Sequence, residues 1–431
     1  MGTILKNGKL LDESGALITK SILIEDTRIV KIADEIEAGD HEVIELDGKF
    51  VSAGFIDMHV HLREPGFEAK ETIATGAASA VRGGFTTVAC MPNTRPVIDS
   101  VETVEYILGK AKEAGKARVI PYGSITVREL GKELTDFAAL KAAGICAVTD
   151  DGVGVQATGM MRQAMELAKE HGLSVVAHCE DEELVIPGTA LHDGVTAKRH
   201  GLQGIPSASE SVHVGRDILL AEMTGVHYHV CHISAKESVR LVRDGKRAGV
   251  NVTTEVSPHH LLLCDEDIPD SLDARWKMNP PLRSREDREA LIQGLLDGTI
   301  DIIATDHAPH TEEEKAKGLE RAPFGIVGLE TAFPLLYTHF VEKNIFSLAF
   351  LIEKMTQKPA EIFGLPYGRL TEGAIADITV IDLETEKEII PDEFASKGRN
   401  TPFAGWKCKG WTALTLVDGK VVYQAPAQVE A

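Results

Sequence analysis

Residues 54–66, GFIDMHVHLREPG, decide how this chain is read. An apolar run leads into His59 and His61, two positions apart. On a strand, residues i and i+2 point to the same face. The two imidazoles are therefore expected to aim at one point, as a metal site requires. Arg63 continues that parity where the strand should end. The stretch predicts a pair of metal ligands beside a fixed positive charge, which suits an anionic substrate. Taken alone, the pair reads equally well as two exposed histidines on an edge strand, so the rest of the chain must decide.

That run is the first of eight. The others are FTTVACM (85–91), ARVIPYGSI (117–125), GICAVTD (144–150), LSVVAHC (173–179), VHYHVCHI (226–233), VNVTTEV (250–256) and IDIIATDH (300–307). Several are almost continuously apolar, as parallel strands buried on both faces should be. Helical stretches are expected between them, among them 69–82, 100–115, 158–171, 207–224, 234–248 and 284–297. The alternation predicts an α/β fold, a (β/α)8 TIM barrel over residues 53–365. An open doubly wound sheet is the alternative, but no Gly-rich phosphate loop follows the first run. Residues 1–52 read as short strands broken at Asn7-Gly8 and Asp47-Gly48, and 366–431 repeat that texture with a turn at Asp418-Gly419. Chain ends often lie close together, so the two are expected to form one small β-sandwich domain.

Composition excludes several classes. The 431 residues are 43% hydrophobic, with a formal net charge of −21. That balance, with no basic stripe, argues against nucleic acid, and any anionic substrate must be met by local arginines. No segment approaches the roughly 20 apolar residues that cross a membrane, and MGTILKNGKLLDES lacks the pattern of a signal peptide. Six dispersed cysteines without a CxxC pair argue against a structural zinc ribbon or finger and fit a reducing cytoplasm.

Barrel enzymes draw their chemistry from the C-terminal ends of strands. Metal-capable residues sit at those positions here: His59 and His61, Asp150 and Asp151, His178, a histidine of the sixth run, and Asp306 followed by His307 and His310. Each has a plainer explanation. His178 alone would read as a hydrogen-bonded core histidine, and Asp150-Asp151 before Gly152 as a turn. Five coincidences on one rim argue for a site. In the sixth run His227 and His229 alternate with His232 off-phase, and spacing leaves open which of His229 and His232 is the ligand. Four histidines with one or two carboxylates suit zinc or a similar divalent ion, and two ions if one carboxylate bridges. The reaction class these residues predict is metal-assisted hydrolysis.

HVHLREPG, ACMPNT, TDDGVG, AHCE, CHIS, KMNPPLR, ATDHAPH and APFGIVGLET, in that order along essentially the whole chain, resemble the bacterial type I dihydroorotases of the amidohydrolase superfamily. The resemblance implies a zinc-dependent enzyme that interconverts N-carbamoyl-L-aspartate and L-dihydroorotate in pyrimidine synthesis. It implies that His59, His61 and Asp306 bind one zinc ion, that His178 and His232 bind a second, and that Asp151 bridges them. Many relatives bridge with a carboxylated lysine; the aspartates here match the subgroup that does not. It further implies that Arg63, Asn93 and Asn279 hold the substrate carboxylate and that His310 touches the ring's other side. Asp306 would shuttle the proton, and the loop 308–327 would close over the ring with backbone contacts at Pro323 and Gly325. A homodimer is implied, with association with aspartate transcarbamoylase as a further partner. The rival enzyme is a hydantoinase or allantoinase, which needs no carboxylate clamp. A non-catalytic barrel relative is the rival from another class, and such relatives usually lack several ligands.

Overall fold

The computed structural model describes residues 2–426. Strands β1 (Thr3–Leu11), β2 (Leu17–Glu25), β3 (Arg28–Ala33), β4 (Glu42–Glu45) and β5 (Phe50–Ala53) come from the first part of the chain. Eight barrel strands follow: β6 (Phe55–Val60), β7 (Phe85–Cys90), β8 (Arg118–Pro121), β9 (Ala147–Val148), β10 (Ser174–Ala177), β11 (Tyr228–Val230), β12 (Val252–Val256) and β13 (Ile302–Ile303). The last part adds β14 (Ile378–Asp382), a small pair β15 (Lys387–Glu388) and β16 (Lys407–Cys408), then β17 (Trp411–Val417) and β18 (Lys420–Gln424).

The barrel strands pair in parallel as β6-β7-β8 and β9-β10-β11-β12-β13. Single parallel bridges Gly123↔Val148 and Val60↔His307 join the two arcs and close the ring. A buried carboxylate reinforces the second seam: Asp57 on β6 accepts from the Thr305 amide at 3.1 Å and from its hydroxyl at 2.6 Å. The fold is thus the expected α/β barrel, with helices such as Ile73–Arg82, Thr158–Glu170 and Arg285–Leu296 packed outside. Several strands are shorter than their apolar runs. β9 and β13 keep only two ladder residues each, so Asp150, Asp151 and Asp306 follow the strands rather than lie in them.

The two ends of the chain meet in one hydrogen-bonded sheet of eight strands, ordered β18-β17-β14-β5-β1-β2-β3 with β4 beside β1. β14 runs antiparallel to β5 with Ile378 opposite Ala53 and Val380 opposite Val51. The sheet encloses its own apolar cluster, including Leu5, Ile22, Ile24, Val51, Ile378, Val380 and Leu416. Asp47-Gly48 and Asp418-Gly419 turn as expected, each with two positive φ angles. Asn7-Gly8 is a correction. It lies inside β1 as a bulge, where the pairing with β2 slips, and a Cβ on Gly8 would meet Val51 at 2.5 Å.

β6 also departs from simple alternation. Ile56 and Met58 pack inside the barrel, whereas Val60 and Leu62 belong to the layer between strands and helices. The inward parity therefore changes between Met58 and His59, within the stretch where pairing with β7 slips. That shift turns His59 and His61 inward at the rim.

Candidate active site

His59, His61, Asp151, His178, His232 and Asp306 converge at one end of the barrel, all buried. His59 Nε2 lies 3.5 Å from Asp151 Oδ1 and 3.3 Å from Asp306 Oδ1. His61 Nε2 lies 3.6 Å from Asp151 Oδ2 and 3.1 Å from Asp306 Oδ1. His178 Nδ1 and His232 Nε2 face each other at 3.0 Å. Three overlapping groups result, each compact enough to surround one ion: His59 with His61 and Asp151, His59 with His232 and Asp306, and Asp151 with His178 and His232. Asp151 is common to the first and third.

The donor set fits divalent metal. His59 Nε2 and Asp151 Oδ1 are buried and have no hydrogen-bond partner among the described residues, although each has polar neighbours within 3.5 Å. Buried polar atoms are almost always hydrogen-bonded, so atoms gathered without that geometry have the arrangement of ligands around a cation. Electrostatics agrees. Burial works to lower the pKa of His59, but Asp306, Glu255 and Asp151 outweigh it and lift the imidazole to about 10. The centre of the cluster favours positive charge.

The remaining nitrogens of the HxH pair are anchored. Asn93 Oδ1 accepts from His61 Nδ1 at 3.0 Å, and Glu255 Oε1 accepts from His59 Nδ1 at 2.6 Å. Both rings therefore turn Nε2 towards the cluster. Asn93 also donates to Asp151 Oδ2 at 3.1 Å. Three residues on the pocket wall, Arg63, His232 and Asp306, hold positive φ angles of 62°, 27° and 49°, a region non-glycine residues rarely occupy. At His232 this bend brings an off-phase side chain onto the rim. His229 instead bonds Glu255 and Thr253 inside the barrel and does not join the cluster. Asp150 is likewise removed from the cluster, its carboxylate accepting from the Ile125 and Thr126 amides. His307 bonds Glu71 and the Gly328 amide.

A cavity of about 300 Å³ opens over the cluster. Arg63, Asn93, Asn279, His310, Pro323 and Gly325 all line it. Arg63 Nε donates to the Pro309 carbonyl at 3.2 Å. Asn279 Oδ1 is buried without a partner among the described residues, and its Nδ2 lies 3.4 Å from His178 Nε2. His310 Nε2 donates to the Phe324 carbonyl at 2.7 Å while Lys70 approaches Nδ1 at 3.3 Å. Burial and the charges of Arg63, Lys70 and Lys315 lower the His310 pKa, so the ring is neutral. One cationic side chain and several neutral donors thus face a pocket whose floor is the cluster. That arrangement has the charge and size to suit a small anionic molecule.

Two groups were missed in the sequence. Glu255 carries a signal, a lone carboxylate in the apolar run VNVTTEV. Burial works against its charge, but His59 and the hydrogen bonds from His229 and His59 hold its pKa at about 2. Asn400 carries none. It comes from the C-terminal part of the chain, accepts from the His310 amide and donates to the carbonyls of Ala308 and Gly325.

Residues 48–238 match the family description Dihydro-orotase-like. A dihydroorotase of Brevibacillus brevis is 73% identical over 424 residues, 98% of this chain and 100% of that one. A dihydroorotase of Halalkalibacterium halodurans is 63% identical over 98% of this chain and 99% of its own length. Among solved structures, the L-hydantoinase (dihydropyrimidinase) of Arthrobacter aurescens superposes with a TM-score of 0.84 at 26% identity, covering 99% of this chain and 97% of that one. A D-hydantoinase (dihydropyrimidinase) from Thermus sp. superposes with a TM-score of 0.81 at 27% identity, covering 98% and 95%.

Proposed function

The chain belongs to the dihydroorotase family, and from that premise we propose that the rim cluster and its cavity carry out the interconversion of L-dihydroorotate and N-carbamoyl-L-aspartate. His59, His61 and Asp306 would hold one zinc ion, His178 and His232 a second, with Asp151 bridging. Such ions, when bound, make water acidic enough to supply a nucleophile near neutral pH and polarise the amide carbonyl. Everything else falls to the protein. Arg63 pairs with the substrate carboxylate, and the amides of Asn93 and Asn279 extend that clamp. His310, neutral, contacts the ring from the wall, and the backbone at Pro323 and Gly325 closes the far side. Asp306 takes the proton released when water adds to the ring carbonyl. It returns that proton to the departing ring nitrogen. In the cyclising direction the same carboxylate works in reverse.

The observation that carries this reading is the placement of Arg63 in the cavity directly above the cluster. The fold neighbours are named hydantoinases, but a hydantoin ring bears no free carboxylate for Arg63 to meet. Turnover of L-dihydroorotate followed in the ultraviolet, with and without a chelator and against hydantoin and allantoin, tests the proposal. Metal-dependent opening of dihydroorotate is expected; preference for either other ring overturns it. Family resemblance further suggests a cytoplasmic homodimer, read by sedimentation, and association with aspartate transcarbamoylase, read by co-elution. Among the described residues no helix is long and apolar enough to cross a membrane. The same proposal divides the chain at 52/53 and 365/366.

A further inference from the structure

His227 and His229 have no place in the reaction just described, yet both sit in a single line of hydrogen bonds through the barrel. Ser174 Oγ lies 2.7 Å from His227 Nδ1. His227 Nε2 lies 2.8 Å from Thr253 Oγ1, and that oxygen lies 2.7 Å from His229 Nδ1. His229 Nε2 lies 3.1 Å from Glu255 Oε2, and Glu255 Oε1 lies 2.6 Å from His59 Nδ1. Ser174 starts β10 and His227 precedes β11, so the line begins at the end of the barrel opposite the rim. It finishes at the first histidine of the cluster.

The polarity of this line follows from the carboxylate that ends it. Glu255 is the acceptor at its end, with His59 Nδ1, His229 Nε2 and the His232 amide converging on its two oxygens at 2.6, 3.1 and 3.3 Å. A neutral His229 that donates from Nε2 to Glu255 is left with a lone pair on Nδ1. Among the described residues only the Thr253 hydroxyl reaches that lone pair, so Thr253 donates to it and accepts from His227 Nε2. His227 Nδ1 then accepts from Ser174. Burial, with His229 beside it, draws the His227 pKa down to about 4, which keeps that ring neutral. Every proton in the line points towards Glu255, and His59 Nδ1 donates to the same carboxylate from the other side. The Glu255 oxygen that receives His59 also accepts from the His232 backbone amide at 3.3 Å. One carboxylate thus ties together histidines assigned to the two different ions.

We propose that Glu255, His229, Thr253 and His227 are positioning residues, a ladder that fixes the proton of His59 on Nδ1 and aims its Nε2 at the metal. The inference rests on the ligand assignment of the proposed function. A polar network that merely satisfies itself would contribute stability alone; the ladder predicts an effect on metal binding at a distance. Thr253→Val keeps the shape of the side chain but removes the only oxygen that joins the two histidines. Thr253→Ser restores it.

The test compares three proteins, wild type, T253V and T253S, by zinc affinity in competition with a chromophoric chelator. Histidine ¹⁵N shifts of the metal-free forms and melting temperature complete the set. In the wild type, His229 and His227 are expected as Nε2–H tautomers. T253V should bind zinc about tenfold more weakly, with T253S close to wild type. A T253V protein that melts earlier but binds zinc as tightly as wild type overturns the ladder. So does a wild-type His229 protonated on Nδ1 alone. A wild type that binds no zinc overturns the ligand assignment itself, a result distinct from either of those.

Discussion

On one side of the pocket, His59, His61, Asp151, His178, His232 and Asp306 stand at the ends of barrel strands. On the other, Ala308 to His310 and Pro323 to Gly325 belong to the connection after β13. The two sides are held differently. The rim is held from within the barrel: Glu255 and Asn93 orient the HxH rings, and Asp57 locks the closing seam behind them. The wall is held from outside. Asn400 bonds both of its segments, Lys315 Nζ donates to the Pro323 carbonyl at 2.8 Å, and Lys277 Nζ donates to the Leu319 carbonyl at 2.7 Å while lying over the Phe324 ring. Groups that must keep sub-ångström geometry are built on rigid strands. The wall to which we assign recognition of the rest of the substrate is a loop fastened by a few separable bonds.

The comparison breaks first at Asp306. Asp306→Ala should lower kcat by roughly 10²–10⁴-fold while leaving the melting temperature near that of wild type. Turnover within tenfold of wild type would remove the carboxylate from proton transfer.

Asn400→Ala is the matching change on the wall. Three hydrogen bonds to His310, Ala308 and Gly325 are lost, each worth about 1 kcal/mol. KM for dihydroorotate should rise about tenfold, with kcat changed far less. A variant that instead lost kcat at unchanged KM would show that the wall positions the reacting atoms as tightly as the rim does.

The smallest effect is a pH dependence. Burial, then the neighbouring Lys277 charge, lowers the Lys315 pKa to about 7; Asp273 and Glu314 pull it upward and Arg63 downward. The unfolded chain holds this proton up to the ordinary lysine value of 10.5. Between those values the unfolded state binds more protons than the folded one, so Lys315 makes stability rise with pH from about 7 upward. Melting curves at pH 7 and pH 9.5 should show a smaller rise for Lys315→Met than for wild type. Equal slopes would place the lysine as an ordinary solvated charge.

Much of this was readable before any coordinates. Eight apolar runs alternating with helical stretches are a periodic signal, and burial of parallel strands on both faces makes it strong. The rim residues were legible because a barrel turns strand ends into a fixed address. Where local patterns failed, a neighbour decided. Asn7-Gly8 has the composition of a turn, but the packing of Val51 against Gly8 and the pairing of β1 with β2 make it a bulge. Parity pointed His59 and His61 the same way, but could not show that the inward face of β6 changes between Met58 and His59.

Hydrophobic period, spacing and side-chain chemistry are local properties, so they place residue types at strand ends without reference to the rest of the fold. The folded barrel brings His232 rather than His229, and Asp151 rather than Asp150, into the cluster, and it carries Asn400 to His310 across 90 residues. Those choices depend on backbone bends and on hydrogen-bond partners supplied by other strands. A chain segment carries no record of the partner that will complete it until the barrel closes.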